Sequence, residues 1–147
     1  MSNNFDKAVR AKLGVYEDQL DPIQMSKITT LQIEEATQGD IDDLVKTPSV
    51  IKLSLVCKGD VSLAPLQELA LLDSLRISHA NLENVSPLEK LTDLRHLDVS
   101  DSQIADFSHL SYLRELFSLR LKNCDLDDLS PLEGMGNLSE LNLNENN

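Results

Sequence analysis

The sequence predicts an α/β solenoid: a horseshoe with a parallel β-sheet on its concave face, short helical or 3-10 segments on its convex side, and helices at its amino terminus. Two observations carry this reading. One leucine recurs at Leu31, Leu53, Leu75, Leu97, Leu119 and Leu141, each 22 residues after the last. A second apolar column follows two residues later as Ile33, Leu55, Ile77, Val99, Leu121 and Leu143, so L-x-[LIV] is written six times. Leucine supplies 28 of the 147 residues, against 5 aromatic side chains and no tryptophan, which marks it as a repeated spacer. Self-similarity at a fixed period is the signature of a stacked repeat.

Each unit then divides into a strand, a turn and a return. In L-x-[LIV] the two apolar residues share one face of an extended chain. Three further columns run in phase: Ile41, Leu63, Val85, Phe107 and Leu129; Leu44, Leu66, Leu88, Leu110 and Leu132; Val50, Leu72, Leu94, Leu116 and Leu138. Offsets of three, as in Leu88, Leu91 and Leu94, suit a short helix or 3-10 segment. Ala64-Pro65, Ser86-Pro87 and Ser130-Pro131 open three of these segments and Ser108-His109 a fourth. The expectation is that Ser caps the segment and Pro takes its first position. Asp21-Pro22-Ile23 reads as another capped helix entering the first repeat.

The stretch from Leu94 to Leu110, with Leu97, Val99, Ile104, Asp106 and Ser108 between, resembles the leucine-rich repeat of bacterial internalins and eukaryotic phosphatase-regulator proteins. The resemblance covers residues 28–147 as five full units plus a sixth strand. Phe5 to Gly14 is similar to the helical cap that precedes internalin repeats, which gives a cap over residues 1–27 and implies a Gram-positive bacterial source. Two departures stand out. The family's ladder asparagine, five residues after the strand leucine, is here Ala36, Lys58, Ala80, Ser102, Cys124 and only finally Asn146, so the turns are expected to be less well held. The second is that the sequence stops just after the sixth strand. Solenoids normally close with a polar cap, so truncation of a longer parent, a polar end made from Asn144 to Asn147, or tail-to-tail self-association through the uncapped strand are the alternatives.

Charge narrows the partners. Acidic residues outnumber basic ones by 25 to 13, a formal net charge of −12, which counts against nucleic acid and anionic membrane surfaces. No run approaches the roughly 20 apolar residues of a membrane span. The stretch from Met1 to Asp6 lacks a basic and an apolar region of a secretory signal. The default is a cytoplasmic product, or a secreted or cell-surface one if the sequence is excised from a longer chain.

Chemistry-bearing residues are sparse. Cys57 and Cys124 lie three repeats apart, about 14 Å at 4.8 Å per strand, too far for a disulfide. Cys124 reads as a small plug at the ladder position. No ligand spacing suggests zinc, and the acidic clusters Asp40-Ile41-Asp42-Asp43 and Asp125-Leu126-Asp127-Asp128 lack an EF-hand's glycine and bidentate glutamate. In the second cluster Asp128, like Asp106, is expected to shape a turn. His79 should neighbour Asp101, with Ser78 and Ser100 nearby, as a surface ion pair and not a hydrolytic triad, since no oxyanion hole accompanies them. His96 is expected on the concave face and His109 on the convex side. No enzyme, metal or cofactor is implied.

The face left for function is the concave sheet, exposed at offsets −1, +1 and +3 from each strand leucine. Over repeats two to five these positions are Lys52, Ser54, Val56, Ser74, Arg76, Ser78, His96, Asp98, Ser100, Ser118, Arg120 and Lys122. Four bases face one acid, flanked by Glu34 and Glu140. The candidate partner-binding residues are Lys52, Arg76, His96, Asp98, Arg120 and Lys122, with serines leaving room for approach and no aromatic anchor. The expected function is a non-catalytic protein-interaction module that takes an acidic segment on this sheet. The alternative is a targeting or adhesion fragment of a larger internalin-like surface protein or effector.

Overall fold

In a computed structural model the described residues are 3–16 and 19–147; Met1, Ser2, Glu17 and Asp18 of the amino-terminal segment read above lie outside them. The leucine column becomes the register of one parallel sheet. Strands β1 (Thr30–Ala36), β2 (Lys52–Asp60), β3 (Ser74–Leu82), β4 (His96–Ser100), β6 (Ser118–Lys122) and β7 (Glu140–Asn142) lie side by side in chain order. Leu31 pairs with Leu53, Leu53 with Leu75, and so on to Leu141. A two-residue strand, β5 (Gln103–Ile104), resumes pairing with β3 beyond the turn that ends β4. Parallel neighbours need a crossover, and here each is a single convex return. Those returns are 3-10 helices at Asp43–Lys46, Ala64–Glu68, Ser86–Lys90, Ser108–Tyr112 and Ser130–Leu132.

The strand leucines and the convex columns meet in one core. Leu44, Leu66 and Leu88 are fully buried, as are Val50, Leu72, Leu94 and Leu116. Leu129 departs from the expected column: it is 56% exposed, and Leu132 only partly covered. Each convex turn is sandwiched by its neighbours, whereas among the described residues Ser130–Leu132 packs only on the turn before it. One core column escaped the sequence reading. Leu82, Ile104 and Leu126 are buried at offset +7, with Val61 in the same role.

The turns that leave the strands explain Val61. At offset +4 the backbone is left-handed in five of the six repeats, at Glu35, His79, Asp101, Asn123 and Glu145. Repeat two differs: β2 runs on in extended alternation, burying Leu53, Leu55 and Cys57, and turns at Gly59, with φ 86°. The register shifts by one residue there, and Val61 to Leu63 is one residue shorter than Leu82 to Val85. The ladder position expected at Lys58 is therefore filled by Cys57, opposite Ala36, while Lys58 is exposed.

The convex caps also correct the expectation. Ser86, Ser108 and Ser130 are the first helical residues, and each donates its amide instead of accepting. The acceptors stand two residues earlier: Asn84 (3.0 Å), Asp106 (2.8 Å) and Asp128 (2.9 Å). Side chains of this length close an Asx turn onto the backbone two residues on. The Ser86 and Ser130 hydroxyls reinforce it at 2.6 Å.

Ahead of β1, helix α1 (Asn4–Leu13) buries Phe5 and Val9 and ends at the left-handed Gly14, while α2 (Pro22–Met25) is capped by Asp21, which accepts the Ile23 amide. Helix α1 packs on β1 and on α3 (Gln38–Asp42). Asp40, fully buried, ties them: its Oδ1 accepts the Phe5 amide at 2.7 Å and its Oδ2 the Thr37 amide and hydroxyl. Among the described residues no helix is long and apolar enough to cross a membrane.

Candidate functional site

Strand alternation turns Lys52, Arg76, His96, Asp98, Arg120 and Lys122 to one face of the sheet. A groove of about 350 Å³ crosses the concave sheet, lined by Lys52, Ser54, Ser74, Arg76, His96, Asp98, Ser118 and Arg120 among others. Lys52, Arg76, His96 and Arg120 are exposed; Asp98 and Lys122 are half-buried.

The structure brings three of these residues into contact. Asp98 lies between Arg76 and Arg120 in neighbouring strands, since Arg76 pairs with Asp98 and Asp98 with Arg120 in the sheet register. One carboxylate oxygen, Oδ2, meets Arg76 Nε at 3.3 Å and Arg120 Nη1 at 3.5 Å. The other, Oδ1, accepts the Ser100 hydroxyl at 2.5 Å. Both arginine side chains stay more than half exposed while that of Asp98 is only 20% exposed, so the guanidiniums cover the carboxylate from solvent. Lys122 turns aside to Glu145 at 3.1 Å. Lys52 takes no ionic partner among the described residues.

His96 does more than occupy the surface. Its ring meets Phe117 edge-on, centroids 6.1 Å apart. Phe117 is 45% exposed, so an aromatic does stand at the rim of this face. Offset −2 falls outside the expected concave positions because alternation turns it toward the core. Here Phe117 precedes β6, where the chain has not yet taken up strand geometry, and the side chain emerges. A large aromatic just before a strand leucine was the available signal.

Other candidates resolve differently. Among the described residues no ion pair joins His79 to Asp101; both sit in left-handed turns, and Asp101 Oδ1 accepts from the side-chain Nδ2 of Asn123 at 2.9 Å. His109 lies on the convex side, 3.1 Å from Glu89. Cys57 and Cys124 are free and buried, and burial raises each thiol pKa to about 11. Cys124 is more than a plug, since its Sγ donates to the Val99 carbonyl at 3.1 Å. Asp40 is committed to capping, and Asp128 and Asp106 shape turns as expected. Among the described residues no three His, Cys, Asp or Glu side chains converge as metal ligands do.

Solved structures with this architecture are similar along nearly the whole chain. An internalin, InlF, from Listeria monocytogenes matches with a TM-score of 0.82 and 28% identity, covering 97% of this chain and 43% of that one. The functional domain of InlJ from the same species, which includes a cysteine ladder, matches at 0.65 and 19% over 97% and 36%. Internalin C2, also from Listeria monocytogenes, matches at 0.55 and 21% over 98% and 84%. This chain thus spans less than half the length of InlF. No protein-family model matches the sequence, and no curated protein matches it. Sheet, convex returns and neighbours together make this an α/β leucine-rich-repeat solenoid of internalin-like structure, the architecture of a protein-interaction module.

Proposed function

We propose that this chain is a non-catalytic module that binds a protein partner by taking an acidic segment onto its concave sheet. The observation that supports the reading is local charge. Lys52, Arg76 and Arg120 line the groove with Asp98 as its one acid, and Lys122 stands beside them paired to Glu145, although the chain carries −12 overall. Arginine suits this role because its planar fork pairs with carboxylates through two parallel hydrogen bonds. In the same reading α1 and α2 form a cap of the internalin type, with Phe5 and Val9 closing the open side of β1.

Selection of a random peptide library on the immobilised protein tests it. Acidic sequences should be enriched on the wild type and lost on the double variant Arg76→Glu/Arg120→Glu. Enrichment that ignores sequence charge, or survives the double reversal, overturns the reading.

A further inference from the structure

The charge of the concave face is set by the one acid that the two arginines share. We propose that Asp98 is a specificity-determining residue: it fits the arginine pair to a partner segment presenting a single carboxylate, so that a second carboxylate adds nothing to binding. The inference rests on the acidic-segment reading and adds to it the number of charges recognised.

The argument is one of geometry and count. Arg76 and Arg120 stand two strands apart, about 10 Å, with Asp98 between them. Without Asp98 they would match two carboxylates two residues apart, which share one face of an extended peptide about 7 Å apart, a spacing that the long Glu and Arg side chains bring into register. Asp98 engages Arg76 through Nε and Arg120 through Nη1, leaving the remaining guanidinium nitrogens of both free to face a ligand. Its position is fixed from the other side by the Ser100 hydroxyl. The three side chains therefore sum to +1. One incoming carboxylate makes the group neutral, while a second meets an arginine pair with no positive charge left over and a covered anion beneath; Lys52, the other lysine or arginine of the groove, stands apart from the pair on β2, opposite Ser74. Like charges brought together without compensation oppose binding. Ser54, Ser74, Ser78 and Ser118 surround the group and bring no further charge.

The test uses the full chain and two capped peptides, Gly-Ser-Glu-Ser-Gly with one carboxylate and Gly-Ser-Glu-Ser-Glu-Ser-Gly with two on one face. Binding is followed by amide chemical shifts of the concave strands. The wild type should bind the two within about twofold of each other. Asp98→Asn keeps the size and an acceptor for the guanidiniums but removes the charge, so it should favour the two-glutamate peptide by about tenfold. Asp98→Ser, which matches the serines around it, should do the same and guards against a folding defect peculiar to the amide. A wild type that already favours the second glutamate by tenfold, or variants that discriminate no better than the wild type, overturns the inference. If Arg76→Glu/Arg120→Glu abolishes binding while the Asp98 variants behave as wild type, only the single-carboxylate inference falls. If neither peptide shifts the concave amides of any form, the acidic-segment reading falls with it.

Discussion

The buried carboxylate of Asp40 accepts the backbone N–H of Phe5 at 2.7 Å, across 35 residues of sequence. This contact joins the first turn of α1 to the entrance of α3, and Asn3 adds a second tie by donating to Asp43 at 2.7 Å. Lys46 closes the group, pairing with Asp43 and standing 5.7 Å above the Phe5 ring. Removing the carboxylate strands the Phe5 and Thr37 amides. Asp40→Ala should cost about 2–4 kcal/mol, since a buried donor left unsatisfied costs roughly 1–3 kcal/mol. Urea unfolding gives the number, and loss of protection of the Phe5 amide in hydrogen exchange locates it.

Acid should loosen the same junction. Burial pushes Asp40 up, but the Thr37 and Phe5 amides and the Thr37 hydroxyl outweigh it, and the carboxyl titrates below its ordinary value. Asp43 is likewise lowered, burial being outweighed by Lys46 and Asn3. A carboxyl with a depressed folded pKa stabilises fully above its unfolded value, near 3.9. That contribution is lost as the pH falls through the folded value. Melting temperature should hold from pH 7 to about pH 5 and decline below about pH 4. In Asp40→Asn the decline should be shallower, from a lower starting point.

At the other end of the sheet Asn146 does what only an amide can. Its Oδ1 accepts the Cys124 amide at 2.9 Å and the Leu126 amide at 3.1 Å, while its Nδ2 donates to the Leu121 and Leu143 carbonyls. Ser102 manages a smaller version, accepting the Ala80 amide and donating to the Ser100 carbonyl. Alanine at position 36 or 80 supplies nothing of the kind. Asn146→Ala should therefore destabilise by about 2–3 kcal/mol, with exchange accelerated at Cys124 and Leu126. Asn146→Asp, which keeps the acceptor and loses both donors, should fall between the two.

The buried thiols offer a clock for opening. With both pKa values near 11 through burial, little thiolate exists at pH 8, and the thiolate is the reactive form. Labelling of the native protein by an aromatic disulfide reagent should be slow and should accelerate as urea is added. Raised folded values also mean that stability falls as the pH rises from about 9 toward 11, because the unfolded chain ionises its thiols first. Fast labelling of both cysteines in the native state would contradict the burial.

The solenoid was legible because its signal is periodic: six strand leucines at one spacing leave a single way to stack, and the pairing of Leu31 through Leu141 follows. Local exceptions were not legible. The bulge at Gly59 keeps the repeat length constant, so no count of residues reveals that Cys57 and not Lys58 enters the core. Serine at the start of a convex segment suggests a cap, yet Asn84, Asp106 and Asp128 sit two residues upstream, where an Asx side chain has the length to close onto the serine amide. On the concave face alternation identified Arg76, Asp98 and Arg120 one by one. It could not say that one oxygen of Asp98 would hold both arginines, because side-chain reach across strands is not written in the period. Phe117 was missed for the complementary reason, since it lies just outside the strand to which the alternation rule applies.

Phe117 bears on how tightly this face can bind. Large aromatics at interfaces supply contact area at low conformational cost, and truncating one that acts as an anchor costs about 2 kcal/mol or more of binding. Phe117 is nearly half exposed, braced by His96, and stands beside Arg95 and Asn137 at the rim of the concave sheet. A partner segment that lays its carboxylate on the arginines can extend an apolar side chain toward this ring. Phe117→Ala should then weaken binding of a selected acidic peptide by about tenfold or more. Fold stability should change little, because so much of the ring is already in water. His96→Ala, which removes the brace and not the anchor, should weaken binding less than Phe117→Ala does. Equal binding by wild type and Phe117→Ala, measured by calorimetry, would assign the contact to the charged residues alone.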